Sequence, residues 1–251
     1  MTAMFARERS GAEPAVVFVH GFCQSSVYWE PTLDRVGAAG RRGYAVDLPG
    51  FGASAAMPGP YTMEGLADAV ARQLDAWGLR SVVLVGGSMG GVVAQHFALR
   101  HPARVQRLLL VATGGYTANA ALALEKAEAM SVAPWNEATI TPVVDGFFYK
   151  RPGDDSIAEY RKVALSAAQA AAVEAAKSNG ANRSLDQLAA ITVPTMIIQG
   201  RHDRARTPEQ GAEMRDRIAG SVLAVIEDAG HTPQLEQPER FHELALPFIV
   251  Q

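Results

Sequence analysis

The chain has 251 residues, 48% of them hydrophobic and 20% charged, with a formal net charge of -3. That is ordinary globular composition, long enough for one sizeable core plus an insertion, and it lacks the basic field that a phosphate backbone demands, so nucleic acid is not an expected partner. The longest apolar runs, such as Val16 to Val19 and Leu108 to Ala112, fall far short of the roughly 18 residues of a spanning helix, and no signal-peptide pattern precedes them; a cytoplasmic protein without a membrane partner is expected.

From the N-terminus, short β-rich apolar runs read as buried strands at Ala15 to Val19, Gly43 to Asp47, Val82 to Gly86, Val105 to Ala112, Thr195 to Gly200 and Val222 to Ile226. Helix-period segments lie between them. Met63 to Trp77 places Leu66, Val70 and Leu74 on one face, and Met89 to Arg100 is ended by Pro102. Strands that alternate with helices and are apolar on both faces predict an α/β fold: a mostly parallel, twisted sheet covered by helices on each side. Ligands of such sheets collect at the carboxyl ends of the strands.

The alternation breaks after Ala112, and no strand-like run returns before Thr195. That stretch is too long for a plain loop. It is rich in Ala and Glu, with helical segments predicted at Ala118 to Met130, Thr139 to Tyr149, Ile157 to Ala176 and Ser184 to Ala190. A helical cap over residues 115–192 is therefore expected, inserted into a core formed by 1–114 and 193–251.

Gly86-Gly87-Ser88-Met89-Gly90-Gly91 carries the strongest chemical signal, because it follows one predicted strand directly and opens a predicted helix. At such a turn the serine adopts a strained backbone conformation, and flanking glycines let strand and helix approach without a Cβ clash. Its hydroxyl then stands above the sheet, where a helix N-terminus favours developing negative charge. A serine hydroxyl is a weak nucleophile, so a base must take its proton and a third group must orient the base. Among the histidines, His231 lies just past the last strand in Asp228-Ala229-Gly230-His231-Thr232-Pro233. His96, His101 and His242 fall in helical segments and read as structural or solvated, while His202 reads as exposed. Asp203, after the Thr195 to Gly200 strand, is the expected orienting carboxylate. Asp228 is its rival but sits only three residues before His231 and reads as a turn-former. Thr113-Gly114-Gly115, after the Val105 to Ala112 strand, offers no carboxylate. Acyl transfer also needs donors where an oxyanion forms; the backbone N–H groups of Met89 and Phe22 are expected there, with Gly21 permitting the sharp turn.

These stretches resemble the α/β-hydrolase superfamily from about Ala15 to the C-terminus. The resemblance is carried by His20-Gly21 with Ser25, Asp47-Leu48-Pro49-Gly50-Phe51-Gly52-Ala53-Ser54, the turn at Ser88, Pro194 to Asp203, and Gly230-His231 followed by Leu235-Glu236-Gln237-Pro238-Glu239-Arg240-Phe241. It implies a triad of Ser88, Asp203 and His231 in the chain order of that fold. It leaves the substrate open among carboxylic esters, enol-lactones and the carbon–carbon bonds of ring-cleavage diketones. Similar members usually open with a pair of strands. Here Met1 to Pro14 leave room for one, around Met4 to Glu8, which points to loss of the first edge strand. The carbon–carbon hydrolases usually carry a glycine-rich loop after His-Gly and a tryptophan after the catalytic histidine. This chain has Phe22-Cys23-Gln24 and Thr232, which favours ester or lactone hydrolysis.

Further readings stand beside that one. Phe22-Cys23 is similar to the His-Gly-Trp-Cys of cofactor-free dioxygenases on this fold, whose acid follows an earlier strand. The fold also serves as a small-molecule receptor with little turnover. Cys23 is the only cysteine, so no internal disulfide or cysteine-based zinc site can form, and neither a metal nor a cofactor is expected. Cys23, Trp135, Phe147 and Phe148 are candidates for an apolar pocket wall, each with the plainer alternative of packing in the core. The expected partner is a small, fairly apolar molecule, with monomer or homo-oligomer left open.

Overall fold

The computed structural model describes residues 3–251. Strand β1 (Ala6–Arg9) runs into β2 (Ala12–Val19), followed by α1 (Glu30–Ala38), β3 (Arg41–Val46), α2 (Met63–Ala76), β4 (Val82–Gly87), α3 (Met89–Arg100) and β5 (Val105–Val111). The strands are central because their residues feed two cores in turn. On β2, Val17 and Val19 join Leu66, Leu74 and Phe97 on one face, while Val16 and Phe18 join Trp29, Leu33 and Phe241 on the other. The same alternation recurs on β4, with Leu84 on the first face and Val83 and Val85 on the second. Each such side chain, fully buried, contributes ~1.5–3 kcal/mol of transfer free energy.

Helices α4 (Ala120–Val132), α5 (Glu137–Asp145), α6 (Asp154–Leu165) and α7 (Gln169–Ala181) follow β5 and precede β6 (Thr195–Gly200). The chain closes with α8 (Pro208–Arg217), β7 (Val222–Ile226), the short α9 (Pro233–Glu236) and α10 (Pro238–Ile249). Among the described residues the sheet has seven strands in the order β1-β3-β2-β4-β5-β6-β7. Only β1 is antiparallel, paired with β3 through Ala6 opposite Val46. One strand thus precedes β2, and it begins at Ala6 rather than Met4.

The segment between β5 and β6 departs from expectation in two places. The single helix expected over 157–176 is two, because Ala168 is extended and its N–H donates to the Gly50 carbonyl at 2.9 Å, while the Ser166 hydroxyl takes the Val163 carbonyl at 2.6 Å. These bonds outweigh the helix propensity of an alanine-rich run. The helix expected to reach Tyr149 stops at Asp145, since the backbone of Phe147 and Tyr149 bonds to a loop near the C-terminus, described below. Residues Ser184–Ala190 are helical as expected, in the tighter 3-10 form. Helices α4 and α7 pack on each other, as do α5 and α6, and α7 also contacts α2 of the core. Among the described residues no helix is long and apolar enough to cross a membrane.

Candidate active site

The carboxyl ends of β2, β4, β6 and β7 lie on one edge of the sheet, and the loops leaving them bring the chemistry-bearing residues together. At the end of β4 the chain turns at Ser88 with φ 53° and ψ -119°, a conformation that L-residues pay for unless the surroundings fix it. The Ser88 N–H donates to the Val111 carbonyl at 2.9 Å, and the Ser88 carbonyl accepts from Gly91 N–H at 3.0 Å and from the Thr113 hydroxyl at 2.7 Å. Glycine is required on both sides of the turn. A Cβ on Gly90 would run into the Val19 and His20 carbonyl oxygens, and one on Gly86 would meet the Gly90 carbonyl. Beneath the turn, Trp29 lies 2.9 Å from where a Gly87 Cβ would stand and donates its Nε1–H to the Val19 carbonyl at 3.2 Å.

Ser88 Oγ lies 2.7 Å from His231 Nε2, and His231 Nδ1 lies 2.7 Å from Asp203 Oδ2. Asp203 is buried, and its other oxygen accepts from the N–H groups of Ala205 at 2.8 Å and Arg206 at 2.9 Å. Those two bonds fix the carboxylate plane, so a single geometry faces the imidazole. Strand β6 and the His231 loop approach closely because residue 200 is glycine: a Cβ on Gly200 would collide with the Gly230 carbonyl. The Asp203 and His231 loops are further laced by a bond from His202 N–H to the Ala229 carbonyl at 2.9 Å.

The loop after β2 stands against the same serine. A Cβ on Gly21 would come within 3.0 Å of Ser88 Cβ. Its turn is held by the Gln24 side chain, which accepts from Gly21 N–H at 2.9 Å, and by His20, whose Nδ1–H donates to the Gly21 carbonyl at 2.8 Å while Nε2 accepts from Leu48 N–H at 3.0 Å. That pattern needs a neutral imidazole, and burial accordingly holds the His20 pKa below its ordinary value, partly opposed by the charge of Asp47. Among the described residues, no hydrogen-bond acceptor is found for the N–H of Phe22 or of Met89. Cys23 follows at φ 53° and is fully buried, and that burial pushes its thiol pKa up.

The remaining histidines and acids are otherwise engaged. His96 bonds to Asn182, His101 to Asp68 and His242 to Thr32. His202 is exposed and stacked on Tyr149 with ring centroids 3.7 Å apart. Asp228 turns the chain at φ 56° and pairs with Lys150 at 3.1 Å. Of the aromatic residues expected near the site, Phe147 reaches it, with its ring centroid 6.0 Å from that of His231. Phe148 stacks on Tyr160 at 5.4 Å, and Trp135 packs, half-buried, against the core.

Three participants escape sequence reasoning. Thr113 holds the Ser88 carbonyl. Arg206 is buried and donates to the Tyr116 carbonyl at 2.6 Å, its pKa lowered by burial and partly restored by Asp203. Glu236 accepts from backbone groups on two separate segments. Nothing local assigns them these partners; an arginine in Arg201-His202-Asp203-Arg204-Ala205-Arg206 reads as a surface cation. Among the described residues no cluster of three or more His, Cys, Asp or Glu side chains is placed to hold a metal ion.

Known proteins resemble the chain over nearly all of its length. A pimeloyl-acyl-carrier-protein methyl ester esterase of Neisseria meningitidis serogroup A is 30% identical over 251 residues, covering 93% of this chain and 76% of that protein. A 2-hydroxy-6-oxononadienedioate/2-hydroxy-6-oxononatrienedioate hydrolase of Klebsiella pneumoniae is 29% identical, covering 94% and 87%. The crystal structure of a hydrolase from Pseudomonas aeruginosa PA01 superposes with a TM-score of 0.90 at 26% identity, covering 98% of this chain and 94% of that one. The model of the alpha/beta hydrolase family matches residues 16–244, from inside β2 to inside α10, and so spans the parallel strands and the loops that carry Ser88, Asp203 and His231. This chain belongs to the alpha/beta hydrolase family and is a hydrolase.

Proposed function

We propose that the protein cleaves a small, fairly apolar carboxylic ester or lactone through an acyl-enzyme on Ser88. The observation that carries this reading is the continuous line from Ser88 Oγ to His231 Nε2 to Asp203 Oδ2, 2.7 Å at each step. With Nδ1–H donated to Asp203, Nε2 presents a lone pair to the serine hydroxyl. As Oγ bonds to the substrate carbonyl carbon, its proton passes to Nε2, and Asp203 stabilises the imidazolium without itself taking a proton. The carbonyl oxygen becomes an oxyanion within reach of the free N–H groups of Phe22 and Met89; each such donor is worth ~10²–10³ in rate. Collapse expels the alkoxide, which takes the proton back from Nε2. A water then gives its proton to Nε2 and attacks the acyl carbon, releasing the acid and restoring Ser88.

The pocket reading follows from Phe147, which lays an apolar ring beside His231. Methyl ester hydrolysis by the Neisseria relative supports an ester, and the name of the Klebsiella relative keeps carbon–carbon cleavage by the same residues as the alternative. Incubation with a fluorophosphonate, followed by peptide mapping, is expected to label Ser88, and Ser88→Ala to abolish turnover of an activated aryl ester. Full activity of Ser88→Ala would remove the acyl-enzyme. A higher kcat/KM on vinylogous diketones than on simple esters would move the assignment to carbon–carbon hydrolysis.

A further inference from the structure

The turn that presents His231 has no regular secondary structure of its own, yet its three successive amide N–H groups are all committed. Gly230 N–H donates to Glu236 Oε1 at 2.9 Å, His231 N–H to the Phe147 carbonyl at 3.0 Å, and Thr232 N–H to Glu236 Oε1 at 3.1 Å. The Thr232 hydroxyl adds a contact to the same oxygen at 3.2 Å. The other oxygen of Glu236 faces the segment between α5 and α6, accepting from Tyr149 N–H at 2.7 Å and Lys150 N–H at 3.4 Å. One carboxylate therefore closes a ring between the histidine turn and residues 147–150, 86 and 87 positions apart in sequence from it at Lys150 and Tyr149. Space enforces the same proximity: a Cβ on Gly230 would lie 2.7 Å from Tyr149 N. The segment also reaches the acid's loop, through the stacking of Tyr149 on His202, next to Asp203.

We propose that Glu236 is a positioning residue that sets the His231 turn and the Phe147 wall together, so that the base and the acyl pocket hold one relative geometry. This deepens the acyl-enzyme reading and rests on it. The chemistry is that of charge-assisted bonds to backbone donors, about twice as strong as neutral ones. The two oxygens do separate jobs: Oε1 holds the turn that carries the base, and Oε2 holds Tyr149 and Lys150, which follow Phe147 in the wall segment. An amide in place of the carboxylate keeps one oxygen, which the Gly230 and Thr232 donors claim by number. Its –NH2 then faces the Tyr149 and Lys150 N–H groups and repels that segment.

The test compares Glu236→Gln and Glu236→Ala with the parent on short and long acyl aryl esters, alongside thermal melts and the rate of fluorophosphonate labelling of Ser88. For Glu236→Gln the expected result is KM raised about tenfold for the long esters with kcat within about threefold, since the wall moves and the base stays. For Glu236→Ala, kcat is expected to fall a further ~100-fold and labelling to slow in parallel, the range seen when a positioning contact to a reacting group is lost. A lowered melting temperature with kcat and KM unchanged in the folded enzyme would make Glu236 a stabilising contact only and overturn the proposal. Should Glu236→Ala fail to fold, an unchanged KM in Glu236→Gln overturns it alone. If the parent enzyme is not labelled at Ser88, the acyl-enzyme reading has failed. If it is labelled and the Glu236 variants match it, only the positioning role has failed.

Discussion

At the scale of single residues, the arrangement of Asp203 separates shape from chemistry. Its Oδ1 is occupied by the Ala205 and Arg206 N–H groups and its Oδ2 by His231. Asp203→Asn retains an oxygen for the two backbone donors and presents –NH2 to Nδ1, which forces the proton onto Nε2 and removes the lone pair facing Ser88. The expected outcome is a melting temperature close to the parent with kcat lowered by about three to four orders of magnitude; a loss under tenfold would show that orientation of the imidazole does not depend on the carboxylate. The convergence of Ser88, Asp203 and His231 was legible from their places after predicted strands, whose carboxyl ends share one edge of the sheet. Glu236 and Arg206 were not, because each partners backbone groups far away in sequence, and such partners leave no side-chain pattern to read.

At the scale of elements, strands were legible and cap helices less so, for one physical reason. A strand buried on both faces must be an apolar run, and β6 begins and ends where its run does. An alanine-rich cap helix has weak periodicity, and its ends are chosen by distant bonds such as Ala168 N–H to Gly50. The β4-to-α3 turn makes the opposite case, because its packing is dictated by close approach. Gly90→Ala would drive a methyl into the Val19 and His20 carbonyls. A destabilisation of ~1–3 kcal/mol is expected from such overpacking, read as a lower urea midpoint at unchanged slope, with activity falling as the Ser88 turn shifts. An unaltered midpoint would mean that strand and helix separate more easily than their contacts imply.

At the scale of the whole molecule, two buried imidazoles tie stability to pH. His20 and His242 both have pKa values lowered by burial, with Arg35 adding to the effect at His242. In the unfolded chain each titrates near about 6.5. Below that value the unfolded state binds protons that the folded state refuses until its own lower pKa is reached, so stability rises with pH across the interval and is lost as pH falls through it. Melting temperatures between about pH 7.5 and pH 5 are expected to decline toward acid, and His242→Gln is expected to flatten part of the slope. A flat profile in the parent would show that neither histidine is protected from protonation. The sheet class and the parallel strands followed from hydrophobic patterning, whereas the packing of α4 on α7 and of α5 on α6 depends on side-chain surfaces that composition does not encode. Finally, the burial of the lone thiol at Cys23 makes the molecule easy to instrument. A second cysteine placed at Val132, which is 86% exposed at the end of α4, would be the one thiol open to a maleimide dye, so fluorescence from that position would report on α4 alone with negligible background from the buried Cys23.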